Sequence, residues 1–165
     1  MTDASVEIAA FEAFDGRRVA PLRALVAGNP DTRRVLDHVP GDHEIAASWV
    51  MKALAEAGRL STADLAGFLA RLPFLSEPDA VLHLLQSAQY APQPVARAMR
   101  DDLVALYRHP RGLVRVWAFD AYVRGADLPA ERADLAERIK AGTGNRYAAM
   151  RARARALAAQ FDVEI

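Results

Sequence analysis

The sequence predicts an all-α chain of short, successive helical pairs, and three observations carry that prediction. Alanine and leucine dominate the periodic segments while threonine and isoleucine are scarce, which favours helix over the β-branched, period-two pattern of strands. Gly, Pro and small polar residues interrupt the chain at regular intervals, as in "VAGNPD", "LSEPDA", "RHPRGL" and "AGTGN". The links between periodic segments are only a few residues long, which makes consecutive helices antiparallel neighbours.

Taken in order, helices are expected over 4–14, 17–28, 31–38, 44–57, 62–73, 78–90, 94–108, 112–124, 129–140 and 145–161. Several starts carry their own caps. Ser61 with Asp64, and Ser76 with Asp79, fit the arrangement in which a hydroxyl takes a free helix N–H. Pro78 falls in a first turn, where no helix bond is lost. Asp42, Asp127 and Asn145 are further expected caps, and Gly58, Gly125 and Gly142 follow the last apolar residues as helix ends. Helix 44–57 is expected to turn Trp49, Val50, Leu54 and Ala57 inward and Ser48, Lys52 and Glu56 outward. Helix 112–124 is apolar nearly all round, the pattern of a buried helix, and Asp120 and Arg124 are spaced to pair on it.

At 165 residues and 18.0 kDa the chain suits one domain spanning 1–165, with 1–40 as an irregular N-terminal cap and 41–161 as the regular array. It has no cysteine, which excludes disulfides and thiolate chemistry. The start "MTDASVEIAAFEAF" lacks the basic and apolar regions of a signal peptide, and no apolar run is long enough to span a membrane. A cytoplasmic protein with no membrane partner is expected. The Ala/Arg texture is what GC-rich bacterial codon usage produces. Net charge is zero, but residues 1–90 hold 8 Lys/Arg against 12 Asp/Glu (net −4) and residues 91–165 hold 13 against 9 (net +4).

The helical pairs repeat from residue 60 onward. "PDAVLHLLQSAQY", "LVRVWAFDAYV" and "RYAAMRARARALAAQ" align on Leu82, Arg115 and Arg151, at offsets of 33 and 36, a period that belongs to helical-hairpin solenoids. "HPRGLVRVWAFDAY" carries Val114-Arg115, Ala118 and Ala121-Tyr122, and "NRYAAMRARARALA" carries Met150-Arg151, Ala154 and Leu157-Ala158. This pattern resembles the second helix of a HEAT repeat, loosely over 44–160 and well over two units. The resemblance implies a short right-handed superhelix of antiparallel helical hairpins. In that family an Asp six residues before the arginine often bonds to a neighbouring unit. Here the position holds His109 and Asn145, and Ser76 in the weakest copy.

No residue pattern for catalysis emerges. "DHVPGDHE" gathers Asp37, His38, Asp42, His43 and Glu44, but its spacing matches no metal motif, and a polar turn is expected. His83 is expected in the core or lining a groove, and His109 in a turn. There is no Ser/His/Asp signature and no phosphate-cradling glycine loop, so no cofactor or metal is expected. The favoured function is a non-catalytic scaffold or adaptor that binds another protein, with Trp49, Trp117 and Tyr122 as candidate groove aromatics. The alternative is nucleic-acid binding through Arg97, Arg100, Arg115, Arg124, Arg151 and Arg155, which requires those arginines to converge on one face. In the last helix the alternation Arg151, Arg153, Arg155 does not make one stripe. At 100° per residue Arg151 and Arg155 lie on one side and Arg146 and Arg153 on another. Tyr147, Met150, Ala154, Leu157, Ala158 and Phe161 form the core side, and an alanine face lies opposite.

Overall fold

The computed structural model describes residues 3–126 and 128–165, with only the backbone of Asp3 and Leu128. The cap expected at Asp127 lies outside the described residues. The protein is all-helical, 71% helix, and among the described residues no helix is long and apolar enough to cross a membrane. It divides into two compact units, Met1–Ala91 and Pro92–Ile165.

The N-terminal unit holds α1 (Asp3–Glu12), α2 (Ala20–Ala27), α3 (Thr32–Leu36), α4 (Glu44–Glu56), α5 (Thr62–Leu69) and α6 (Pro78–Ser87), with 3-10 turns Leu72–Phe74 and Ala88–Tyr90. Ser61 caps α5 as expected: its Oγ accepts the Asp64 N–H (3.0 Å) and donates to Asp64 Oδ2 (2.7 Å). Gly58 takes the left-handed conformation (φ +65°) that ends α4, and the Arg59 N–H returns to the Leu54 carbonyl (2.9 Å). α4 packs on α2, α3 and α6, α3 also packs on α5, and α5 packs on α6. Three neighbours bury α4 on most sides, which corrects the expected one-sided pattern. Ser48 is fully buried, and Ala57 is exposed.

Two expected caps take other roles. Asp42 makes no cap, since α4 starts at His43 without a side-chain bond. Ser76 does not cap α6 with Asp79. The buried Glu44 carboxylate instead crosses from α4 and accepts the Ser76 and Glu77 N–H groups (2.9 and 2.8 Å), with the Ser76 hydroxyl at 3.3 Å. It supplies from a distant helix what a local cap supplies elsewhere.

The C-terminal unit holds α7 (Gln93–Arg97), α8 (Arg100–Leu106), α9 (Gly112–Arg124), α10 (Leu128–Thr143) and α11 (Ala148–Phe161). The single helix expected over 94–108 is broken at Ala98 and Met99. The break follows the point where α7 meets the end of α9: a Cβ on Gly125 would lie 2.9 Å from both the Arg97 Cα and N. α9 packs on α7, α8 and α11, and α10 packs on α11. It is buried at Val114, Val116, Ala118, Phe119, Asp120, Ala121 and Val123, as its all-round apolar pattern predicts. Phe119, Val123, Leu135, Ile139, Ala154 and Leu157 form one core cluster, each large side chain contributing about 1.5–3 kcal/mol by burial. Gly142 does not end a helix. It lies inside α10, where a Cβ would meet the Ala154 Cβ at 2.8 Å, so its missing side chain lets α11 approach.

A bonding pattern recurs 36 residues apart. Arg115 Nη1 donates to the His109 and Pro110 carbonyls (2.6 and 3.1 Å), and Arg151 Nη1 to those of Asn145 and Arg146 (2.9 and 3.0 Å). In the same turns His109 Nδ1 accepts the Arg111 N–H (3.1 Å) and Asn145 Oδ1 the Tyr147 N–H (2.9 Å). These polar side chains bond within their own turn, not across to a neighbour. Side-chain hydrogen bonds that do cross between segments link residues 28 to 36 apart: Arg97 to Gly125 at the near end, Arg59 to Val26, Glu44 to Ser76 and Ser48 to His83 between, and Arg124 to Gln160 at the far end.

Candidate functional site

The N-terminal unit carries a groove of about 880 Å³, within the range of ligand-sized pockets. The end of α1 and the following loop supply Phe11, Glu12, Phe14 and Asp15. The turn before α4 brings Asp42 and His43, α4 itself Trp49, and the start of α6 Glu77, Asp79 and His83. Trp49 and Phe14 are half-buried, so each shows part of its ring to the groove. With Glu44, six carboxylates line the groove and no lysine or arginine does. Glu12, Asp15, Asp42 and Glu77 are exposed at the rim. N–H donation from Arg18 and Arg17 (2.8 and 3.0 Å) holds the Asp15 carboxyl below the usual carboxylate range, so it stays ionised.

The histidines here are positioned as packing and wall groups. Ser48 Oγ donates to the Ile45 carbonyl (3.0 Å), and the same oxygen lies 3.0 Å from His83 Nδ1. Ser48 is fully buried and therefore presents no nucleophile to the groove. His38 and His43 stack with Phe11, ring centroids 5.2–5.7 Å apart, while Glu44 turns inward to α6. In "DHVPGDHE" the two histidine rings thus sit together on Phe11 and Glu44 points away from them, and among the described residues no three His, Asp or Glu side chains gather as a metal site.

Five of the six candidate arginines make internal bonds. Arg97 and Arg100 share Glu131 (3.2 and 2.7 Å). Burial works against the Arg100 charge, but its hydrogen bonds to Glu131 and the neighbouring Tyr122 outweigh it and raise its pKa. Tyr122 lies between the Arg100 and Arg138 guanidinium groups, 4.1 and 5.0 Å from its ring centre. Arg124 pairs with the buried Asp120 (2.8 Å), as its spacing predicts, and Arg153 reaches the same carboxylate (3.1 Å) while stacking on Trp117 (3.9 Å). Arg115 and Arg151 hold turns. Arg155 is exposed beside the exposed alanines 148, 152, 156 and 159. Of the three candidate aromatics, Trp49 alone lines the groove of the N-terminal unit, while Trp117 and Tyr122 stack with arginines. The groove's carboxylates escaped a reading organised around motifs because they come from three separate segments, at 12–15, 42–44 and 77–79. Their one sequence signal was the net −4 of residues 1–90.

No known protein family, curated protein or solved structure matches the chain.

Proposed function

We propose that this chain is a non-catalytic, HEAT-like interaction module whose N-terminal groove receives a basic segment of a partner protein. The observation that carries the reading is the groove itself: Trp49 and Phe14 partly exposed, ringed by carboxylates, with no lysine or arginine among the lining residues. An arginine or lysine side chain would lay its stem against Trp49, cation over ring, and leave its charge among Glu12, Asp42 and Glu77. A phosphate backbone would be repelled there.

Support for the HEAT-like reading comes from the 28–36-residue spacing of cross-segment bonds and from the matched turns of Arg115 and Arg151. In each unit, helices also pack on neighbours one and two places along the chain, the relation expected in a layered array. The nucleic-acid alternative asks Arg97, Arg100, Arg124 and Arg151 for bonds that they already make internally.

The test is fluorescence anisotropy of a labelled Arg/Lys/Leu peptide against its Glu-substituted counterpart. The basic peptide should bind, weaken as salt rises, and lose about tenfold in affinity in Trp49→Ala. Equal binding of both peptides, or no effect of Trp49→Ala, would contradict the proposal. A duplex-DNA gel shift at low salt would move the assignment to the nucleic-acid alternative.

A further inference from the structure

The C-terminal unit has a second pocket, of about 460 Å³, whose chemistry is the reverse of the groove's. Its lining includes Arg108, Arg115 and Arg146 and no carboxylate. Arg108 and Arg146 are exposed, and no described carboxylate pairs with either. Three guanidinium groups gathered without an acid repel one another, and an anion between them relieves that repulsion.

Two features fix this site in place. Arg115 is anchored by Nη1 to the His109 and Pro110 carbonyls, which uses one of its nitrogens and holds the guanidinium still. Arg151 ties the opposite turn through the Asn145 and Arg146 carbonyls, so the backbone that carries Arg146 and Tyr147 is fixed as well. The recurrent turn arginines therefore build the two walls. Between them is an aromatic surface. Tyr147 is 37% exposed, and its ring lies on the bare backbone of Gly112, where a Cβ would come within 2.9 Å of the ring. Tyr107 also lines the pocket.

We infer that this pocket binds a small phosphate monoester bearing an aromatic ring, the phosphate held by Arg108, Arg115 and Arg146 and the ring against Tyr147. Arginine pairs with phosphate through two parallel N–H bonds, and a ring with π faces stacks on tyrosine. The site lies wholly within the C-terminal unit, so it stands or falls independently of the peptide groove.

Calorimetric titration of the full chain with adenosine 5′-monophosphate, adenosine and inorganic phosphate tests it. The monophosphate should bind at least about tenfold tighter than either fragment, and Arg146→Ala should weaken it by about tenfold or more. Arg115→Ala also unties its turn, so the exposed Arg146 is the diagnostic position, and circular dichroism confirms that the variant is folded. Adenosine or phosphate binding as tightly as the monophosphate would overturn the proposal. So would no heat with the monophosphate, or unchanged binding in Arg146→Ala. A single-stranded oligonucleotide binding more than about a hundredfold tighter than the monophosphate would replace it with a nucleic-acid site.

Discussion

Glu44 in the N-terminal unit and Asp120 in the C-terminal unit are both buried carboxylates, and they are satisfied in different ways. Glu44 accepts two backbone N–H groups at the start of α6. Asp120 accepts from two guanidinium groups, Arg124 and Arg153. The first solution uses no cation, and the groove beside it holds six carboxylates and no lysine or arginine among its lining residues. The second consumes two arginines, and Glu131 engages two more, yet a pocket of three arginines without an acid still remains. A net charge of zero thus conceals two regions of opposite sign. Whole-chain charge argues about solubility and long-range attraction, and it is silent on sites of this size.

The largest effect that would break the comparison is at Asp120. Asp120→Ala strands two guanidinium groups around a cavity and should cost about 3–5 kcal/mol in urea unfolding. Glu44→Ala, which strands neutral N–H groups, should cost about 1–3 kcal/mol. Equal costs would mean that the two carboxylates are held alike.

Glycines give a smaller contrast. Gly142→Ala drives a Cβ into the Ala154 Cβ at 2.8 Å, and should destabilise the C-terminal unit by about 1–3 kcal/mol. Gly67→Ala, in α5, meets only Leu36 Cδ1 at 3.7 Å, and should be neutral or stabilise by up to about 1 kcal/mol through helix propensity. Thermal denaturation of the pair separates the two outcomes.

The smallest effect is at Tyr107. Burial pushes its phenol well above its ordinary value. The unfolded chain then loses this proton near pH 10 while the folded chain retains it. The contribution is therefore constant below about pH 10, and stability falls as pH rises beyond it. Tyr107→Phe should remove that alkaline loss and leave stability near pH 7 within about 1 kcal/mol, because the hydroxyl has no partner to lose. An unchanged alkaline slope would place the titration elsewhere.

Much of the fold was legible in the sequence. The all-round apolar pattern of "LVRVWAFDAYV" predicts a buried helix, and α9 is one. The angular reading of "RARARA" places Ala154, Leu157 and Ala158 inward, and they are core. The alignment on Arg115 and Arg151 anticipates two turns tied in the same way. What was not legible depends on contacts between distant segments. The α7–α8 break lies next to the close approach of Gly125 to Arg97, and nothing in "QPVARAMRDDLVAL" itself requires it. Ser76 reads as a local cap until Glu44, 32 residues earlier, is found to take the N–H groups. The groove was hidden for the same reason. Glu12, Asp42, Glu77 and Trp49 form no motif, and only folding brings them to one rim.

The account's central claim is that one chain carries two separate sites of opposite charge. Amide chemical-shift mapping of the full-length protein, with the basic peptide and with adenosine 5′-monophosphate in separate titrations, tests it most directly. The account predicts two disjoint sets of shifts: residues 11–19, 41–49 and 76–83 with the peptide, and 107–119 and 145–150 with the nucleotide. Shifts from both probes on the same residues, or peptide shifts outside the acidic groove, would contradict it.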